Sequence, residues 1–191
     1  MAPFIPSPTM MGIAIGISIL LLAIMTLLNR MRYKRSDFSY LTNAMLGGID
    51  ILKLRSTTRQ EAIAELAKHT SAILRWPDED TIRQHLLQRE EQISTGLEGG
   101  IAVPHARFMK LGRSLVLLAR SEEGIDWQCM DGGLAHIIFL ILTPEEDEKV
   151  QLKMLAELSY CAENKECREV FRTARDCKDV IDAISKVIKT R

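Results

Sequence analysis

Two uninterrupted apolar runs, Leu115-Val116-Leu117-Leu118-Ala119 and Ile137-Ile138-Phe139-Leu140-Ile141-Leu142, constrain the fold of this chain more than any other feature. Both have the length of a β-strand. A strand with one wet face alternates apolar and polar residues, whereas a strand without alternation needs cover on both faces. The chain must therefore lay helices on both sides of a sheet. Helical periodicity supplies them. Thr58-x-x-Glu61 is a capping box opening a helix with Ala62, Ile63, Leu66, Ala67, Ile73 and Leu74 on its apolar face. Asp78 to Glu91 reads as a second helix, entered through Pro77, with Ile82, Leu86 and Leu87 inward. Lys149 to Ala162 and Asp179 to Ile188 read as two more. Short strands are expected at Ile49 to Leu54 and Ile101 to Val103. The order predicts an α/β fold with a central mixed β-sheet flanked by helices on both faces.

The N-terminus predicts a separate element. Residues 1 to 29 contain no charged side chain, and Met10 to Leu28 is apolar apart from Ser18 and Thr26. At about 1.5 Å per residue the run is long enough for a bilayer core. A signal peptide would want a positive start, a shorter apolar core and a small-residue cleavage site. A core helix is disfavoured because the α/β pattern is complete without it. The basic cluster Arg30, Arg32, Lys34, Arg35 follows the run, which by the positive-inside rule places the C-terminal part in the cytoplasm. The expected organisation is a single transmembrane helix preceding the α/β domain. Its parts are an anchor over 1–35 (span about 10–28), a linker over 36–45 and the domain over 46–191. The expected location is a cell membrane, single-pass, with the domain cytoplasmic. Gly12-x-x-x-Gly16 is a candidate packing face for a second copy or a transporter subunit.

Charge excludes one class of partner. The 25 basic and 25 acidic residues balance, whereas a nucleic-acid-binding domain is clearly basic. Cys129, Cys161, Cys167 and Cys177 form no Cys-x-x-Cys pair, so neither a metal site nor a cofactor is expected. His69 and His85 read as helix-surface residues. His136 opens a strand, Glu122 and Glu123 read as a solvated turn, and Trp127 as a residue packing at a loop edge.

The chemistry concentrates between Arg89 and Arg107. The string Ser94-Thr95-Gly96-Leu97-Glu98-Gly99-Gly100-Ile101-Ala102-Val103-Pro104-His105-Ala106-Arg107 sets a histidine behind a glycine-rich, hydroxyl-bearing loop at the end of an apolar strand. The glycines allow the main chain to approach an anion closely. Ser94 and Thr95 offer hydroxyl donors, and Arg89 and Arg107 offer permanent positive charge. A neutral imidazole is available near pH 7. The pattern suits a ring nitrogen that takes up and passes on a phosphoryl group.

Arg89-Glu90, Ser94-Thr95-Gly96 and Gly100-Ile101-Ala102-Val103-Pro104-His105 together resemble the enzyme IIA domain of the fructose–mannitol (type 2) class of the bacterial phosphoenolpyruvate-dependent sugar phosphotransferase system. The likeness extends over roughly residues 46 to 190. The resemblance implies that His105 accepts a phosphoryl group from a small phosphocarrier protein (HPr or a paralogue) and passes it to a cysteine of a IIB-type partner in sugar uptake. It implies phosphate-stabilising roles for Arg89, Ser94, Thr95 and Arg107. The family usually carries a second histidine near the start of the helix after the central strand. Here Gln151 stands at its place, able to hydrogen-bond to a phosphate oxygen but unable to take up a proton. That departure weighs toward an alternative role, a regulatory module whose phosphorylation state controls a membrane transporter or signalling partner.

Overall fold

The computed structural model describes residues 39–45, 51–74 and 76–189. In chain order the elements are α1 (Tyr40–Met45), β1 (Leu52–Lys53), α2 (Arg59–Ile73), α3 (Glu79–Gln92), β2 (Gly96–Leu97) and β3 (Ile101–Ala102). β4 (His105–Phe108), β5 (Leu115–Ile125), β6 (Ala135–Pro144), α4 (Glu148–Glu163), α5 (Lys165–Thr173) and α6 (Cys177–Lys189) follow. The strands form one mixed sheet in the order β1-β5-β6-β3-β2, with β4 also paired to β6. β1 runs parallel to β5, and β5 runs antiparallel to β6. β3 and β4 both run parallel to β6, in succession along its length.

The two apolar runs are the middle of this sheet. Leu117, Leu118, Ala119 and Ile137 through Leu142 are fully buried. Alternation within the runs sorts their side chains between two cores. Leu117, Ala119, Ile138, Leu140 and Leu142 pack with Ile63, Leu66, Ile82 and Leu86 of α2 and α3. Val116, Leu118, Ile137, Phe139 and Ile141 pack with Met154 and Leu158 of α4, Phe171 of α5 and Ile184 of α6. Phe139 meets the Phe171 ring edge-on at 4.9 Å between centroids, a favoured aromatic geometry.

Thr58 caps its helix as expected, and Asp78, read as the first helical residue, serves as a cap. Thr58 Oγ1 accepts from the Glu61 amide at 3.3 Å, and Asp78 Oδ1 accepts from the Thr81 amide at 2.8 Å. Each satisfies an amide that the helix itself leaves open. Other expectations shift. Ile73 lies on exposed helix surface rather than on the apolar face expected for it, and Leu152 of α4 is exposed as well. Glu122 and Glu123 belong to the distal part of β5, where the pairing register with β6 breaks. Trp127 is fully buried, not at a loop edge. α1 packs against α4: the Leu41 amide donates to Glu157 Oε2 at 2.9 Å, while Leu41 and Met45 enter the second core.

The transmembrane expectation is corrected. No helix among the described residues is long and apolar enough to cross a membrane. The longest, α4, buries only one face and carries Lys149, Lys153 and Glu157. The span expected at 10–28, with its basic flank and the Gly12–Gly16 face, lies outside the described residues. The fold is therefore an α/β sheet domain, and neither the transmembrane helix nor the single-pass membrane location is carried further.

Candidate functional site

His105 opens β4 rather than ending β3. Pro104, which lacks an amide donor, separates the two strands, and both pair with β6 on either side of it. The Pro104 carbonyl still accepts from the Ile141 amide at 3.0 Å, so the sheet stays continuous beneath the histidine. This placement fixes the ring from below.

Both ring nitrogens have partners. Nδ1 lies 2.8 Å from the Val103 carbonyl oxygen. A carbonyl can only accept, so Nδ1 carries the proton and Nε2 holds the free electron pair. The Arg89 Nε–H donates to Nε2 at 3.2 Å, which agrees with that tautomer. Arg89 is itself held by a second bond, from Nη1 to the Ile93 carbonyl at 2.9 Å where α3 ends. Burial pushes the His105 pKa below the ordinary imidazole value of 6.5. The Val103 carbonyl and Glu90 act upward, whereas Arg89 and Arg107 act downward. The ring is thus a neutral imidazole with its lone pair aimed at a guanidinium.

A cavity of about 390 Å³ lies in front of it, lined by His85, Arg89, His105, Arg107, Glu145 and Gln151 among others. Gln151 comes from the first turns of α4, is buried, and its Nε2 has no hydrogen-bond partner. Arg107 reaches Glu148 at 3.6 Å across a half-open surface. His85, which the sequence places on an ordinary helix surface, lies on this cavity and stacks on Phe108 at 4.8 Å between ring centroids. A register of four residues on α3 puts His85 and Arg89 on one face, a signal available from spacing alone.

Ser94 and Thr95 do not line the cavity. The Ser94 hydroxyl donates to the Trp127 carbonyl at 2.5 Å. Thr95 is bound twice to Glu90, through its amide at 2.8 Å and its hydroxyl at 2.6 Å, and accepts from Trp127 Nε1 at 3.2 Å. Glu90 is buried, with Arg59 Nη1 3.7 Å away. Of the glycines, Gly96 packs beside this network, while Gly99 and Gly100 serve the backbone turn. Gly99 and Gly100 take positive φ of 77° and 76°, and a Cβ on Gly96 would fall 2.9 Å from Cys129 Cα. Glu90 and Arg89 are neighbours on α3, so this network anchors the helix end that aims Arg89 at His105. His136 lies five positions before Ile141, the β6 partner of His105. Along a strand that is about 16 Å away. Among the described residues, no group of three or more His, Cys, Asp or Glu side chains is placed to hold a metal ion.

Residues 48–187 match the family described as "Phosphoenolpyruvate-dependent sugar phosphotransferase system, EIIA 2". The chain is 33% identical over 132 residues to the "PTS system fructose-specific EIIA component" of Haloferax volcanii, a match spanning 69% of this chain and 86% of that protein. It is 30% identical over 132 residues to the "Nitrogen regulatory protein" of Bradyrhizobium diazoefficiens, with the same 69% and 86% spans. It is 29% identical over 135 residues to the Bacillus subtilis "PTS system fructose-specific EIIABC component", covering 71% of this chain but only 21% of that longer protein. Among solved structures, the nitrogen regulatory protein IIA-Ntr from Neisseria meningitidis superposes with a TM-score of 0.69 at 23% identity, over 76% of this chain and 99% of that one. The Escherichia coli mannitol IIA in complex with phosphorylated IIB superposes with a TM-score of 0.54 at 18% identity, over 71% and 93%. At these identities the two structures speak to the fold.

Proposed function

The chain belongs to the type 2 enzyme IIA family of the phosphoenolpyruvate-dependent sugar phosphotransferase system and is a phosphotransferase component; from that premise we propose that His105 Nε2 is the atom that carries the phosphoryl group. The observation that carries this reading is the pair of bonds on the ring, Nδ1 to Val103 O and Nε2 to Arg89 Nε. Nδ1 is occupied by a proton and faces the main chain. Nε2 is unprotonated and faces the cavity.

In the proposed step, the Nε2 lone pair attacks phosphorus of a phosphohistidine on a small phosphocarrier protein. The Nε2–P bond forms as the donor's N–P bond breaks, and the electron pair returns to the donor ring. The His105 ring becomes cationic, and the Val103 carbonyl stabilises the Nδ1–H that remains. Arg89 turns from the nitrogen to the phosphoryl oxygens, where a guanidinium offsets the developing charge. The unpartnered Gln151 amide and Arg107 donate to the same oxygens. Ser94 and Thr95 act at one remove by holding Glu90 and the end of α3. Discharge reverses the chemistry: a thiolate of a IIB-type partner attacks phosphorus, and the pair returns to Nε2.

A regulatory variant of this reading rests on Gln151. A glutamine keeps a hydrogen-bond donor over the phosphoryl group without a titrating proton, which suits a stored phosphorylation state. The Bradyrhizobium and Neisseria relatives bear regulatory names. One assay tests both. The full chain is incubated with phosphoenolpyruvate, enzyme I and the phosphocarrier, alongside His105→Ala. Acid-labile phosphate on wild type alone is the expected result, and equal labelling of His105→Ala would overturn it. Chasing the labelled protein with IIB-type partners separates a relay, which discharges, from a stored regulatory mark, which does not.

A further inference from the structure

The mixed sheet has two carboxyl ends. β3, β4 and β6 point one way and deliver His105, Glu145 and Gln151. β1 and β5 point the other way. Beyond β1 the chain turns through Leu54 to Ser56 into α2, the kind of strand-to-helix crevice where α/β sheets hold ligands. A second cavity, of about 540 Å³, opens there.

Its walls are charged. Lys53, Arg55 and Arg172 line it, and among the described residues none of their side chains makes an ion pair or hydrogen bond. Arg120 adds a fourth cation. Its Nε and Nη2 donate to the Phe171 and Ala174 carbonyls at 2.7 Å each, so it is held rigidly in place. Glu122 and Glu123 line the same cavity. Ser56 also lines the cavity, is nine-tenths buried, and its Oγ has no partner. A buried hydroxyl without a partner costs about 1–3 kcal/mol, and the cations Lys53, Arg55, Arg120 and Arg172 outnumber the carboxylates Glu122 and Glu123 that line the same cavity.

We propose that this cavity binds a small phosphomonoester bearing hydroxyl groups, with its phosphate on Lys53, Arg55, Arg172 and the Ser56 hydroxyl. Two guanidinium forks and an ammonium suit a tetrahedral dianion. Glu122 and Glu123 then accept from the ligand's hydroxyls, which gives the carboxylates of an otherwise cationic cavity a role. The volume suits a metabolite-sized ligand. The inference is independent of the role assigned to His105, and the two cavities must be told apart because both attract phosphate.

Calorimetry on the full chain with glucose 6-phosphate, glycerol 3-phosphate, AMP, inorganic phosphate and glucose tests it. Saturable binding of at least one of the phosphomonoesters is expected, with inorganic phosphate weaker and glucose silent. Arg55→Ala combined with Arg172→Ala should weaken binding by at least about tenfold, the loss of one to two charge-assisted hydrogen bonds. Arg89→Gln should leave it unchanged. Ser56→Ala serves if the double variant does not fold. It should weaken binding severalfold while leaving thermal stability equal or higher, since it removes an unpartnered group, an outcome a purely structural serine would not give. Absence of binding by every phosphomonoester at millimolar concentration would overturn the proposal. So would equal binding of glucose, or binding lost in Arg89→Gln and kept in the double variant.

Discussion

At the scale of single residues, the Arg89–His105 contact decides the chemistry. Replacing Arg89 by Gln removes a charge-assisted donor, and phosphorylation should slow by about tenfold to a hundredfold, with the fold retained as read by circular dichroism. The lowered pKa of His105 has a sign that can be followed. The unfolded chain binds a proton near 6.5 and the folded chain binds it at lower pH. Folding stability therefore falls as pH drops below 6.5, while the competent neutral ring persists there. An NMR titration of the His105 ring should give a midpoint below 6.5, and a midpoint above 6.5 would contradict the desolvation argument. Gln151 is the third case. Gln151→Leu removes a buried donor without a partner, so the urea midpoint should hold or rise while the phosphohistidine, once formed, decays faster. Three residues that the cavity brings together, Arg89, His105 and Arg107, were legible from the sequence because they lie within nineteen positions of one another, whereas His85 was missed. What spacing could not tell is that Ser94 and Thr95 turn inward. Their hydroxyls find Trp127 and Glu90, partners that come from another loop and from the buried side of a helix.

At the scale of elements, α3 is the part that couples packing to chemistry. Glu90 receives two bonds from Thr95, and Arg89 projects from the adjacent position toward His105. Glu90→Gln exchanges one acceptor for a donor facing donors. The expected cost is about 1–3 kcal/mol in urea unfolding, together with slower phosphorylation because the helix end loses its anchor. A change in stability with an unaltered rate would uncouple the two. Thr58→Ala should cost about 1 kcal/mol through loss of the α2 cap, without touching the site. The Thr58 cap could be read directly because a capping box is a local pattern, whereas Asp78, read as the first residue of its helix, caps it instead. α5 was missed although Cys167, Val170, Phe171 and Ala174 follow helical spacing into the second core, because the helix is only nine residues long and otherwise mostly charged. β4 was hidden for a different reason. A proline before a short polar-apolar alternation reads as a loop, and only pairing with β6 makes it a strand.

At the scale of the whole molecule, the lack of alternation in β5 and β6 foretold a sheet covered on both faces, and the two cores confirm it. The relative directions of the strands, and hence the existence of two carboxyl ends, depend on long-range pairing that no window of sequence contains. The covered strand β6 has a further consequence, for the order in which the protein is made. Ile137 to Leu142 carries no charge, glycine or proline, the composition of a segment that self-associates when bare. One of its faces is sealed by α2 and α3, which are synthesised before it. The other is sealed largely by α4 to α6, which leave the ribosome after it. Until about fifty further residues emerge, Ile137, Phe139 and Ile141 stand uncovered. Nascent chains stopped before Glu148 should therefore sediment or recruit chaperones, whereas chains extended through Lys189 should not, and Phe139→Thr should relieve the difference at the expense of the finished fold.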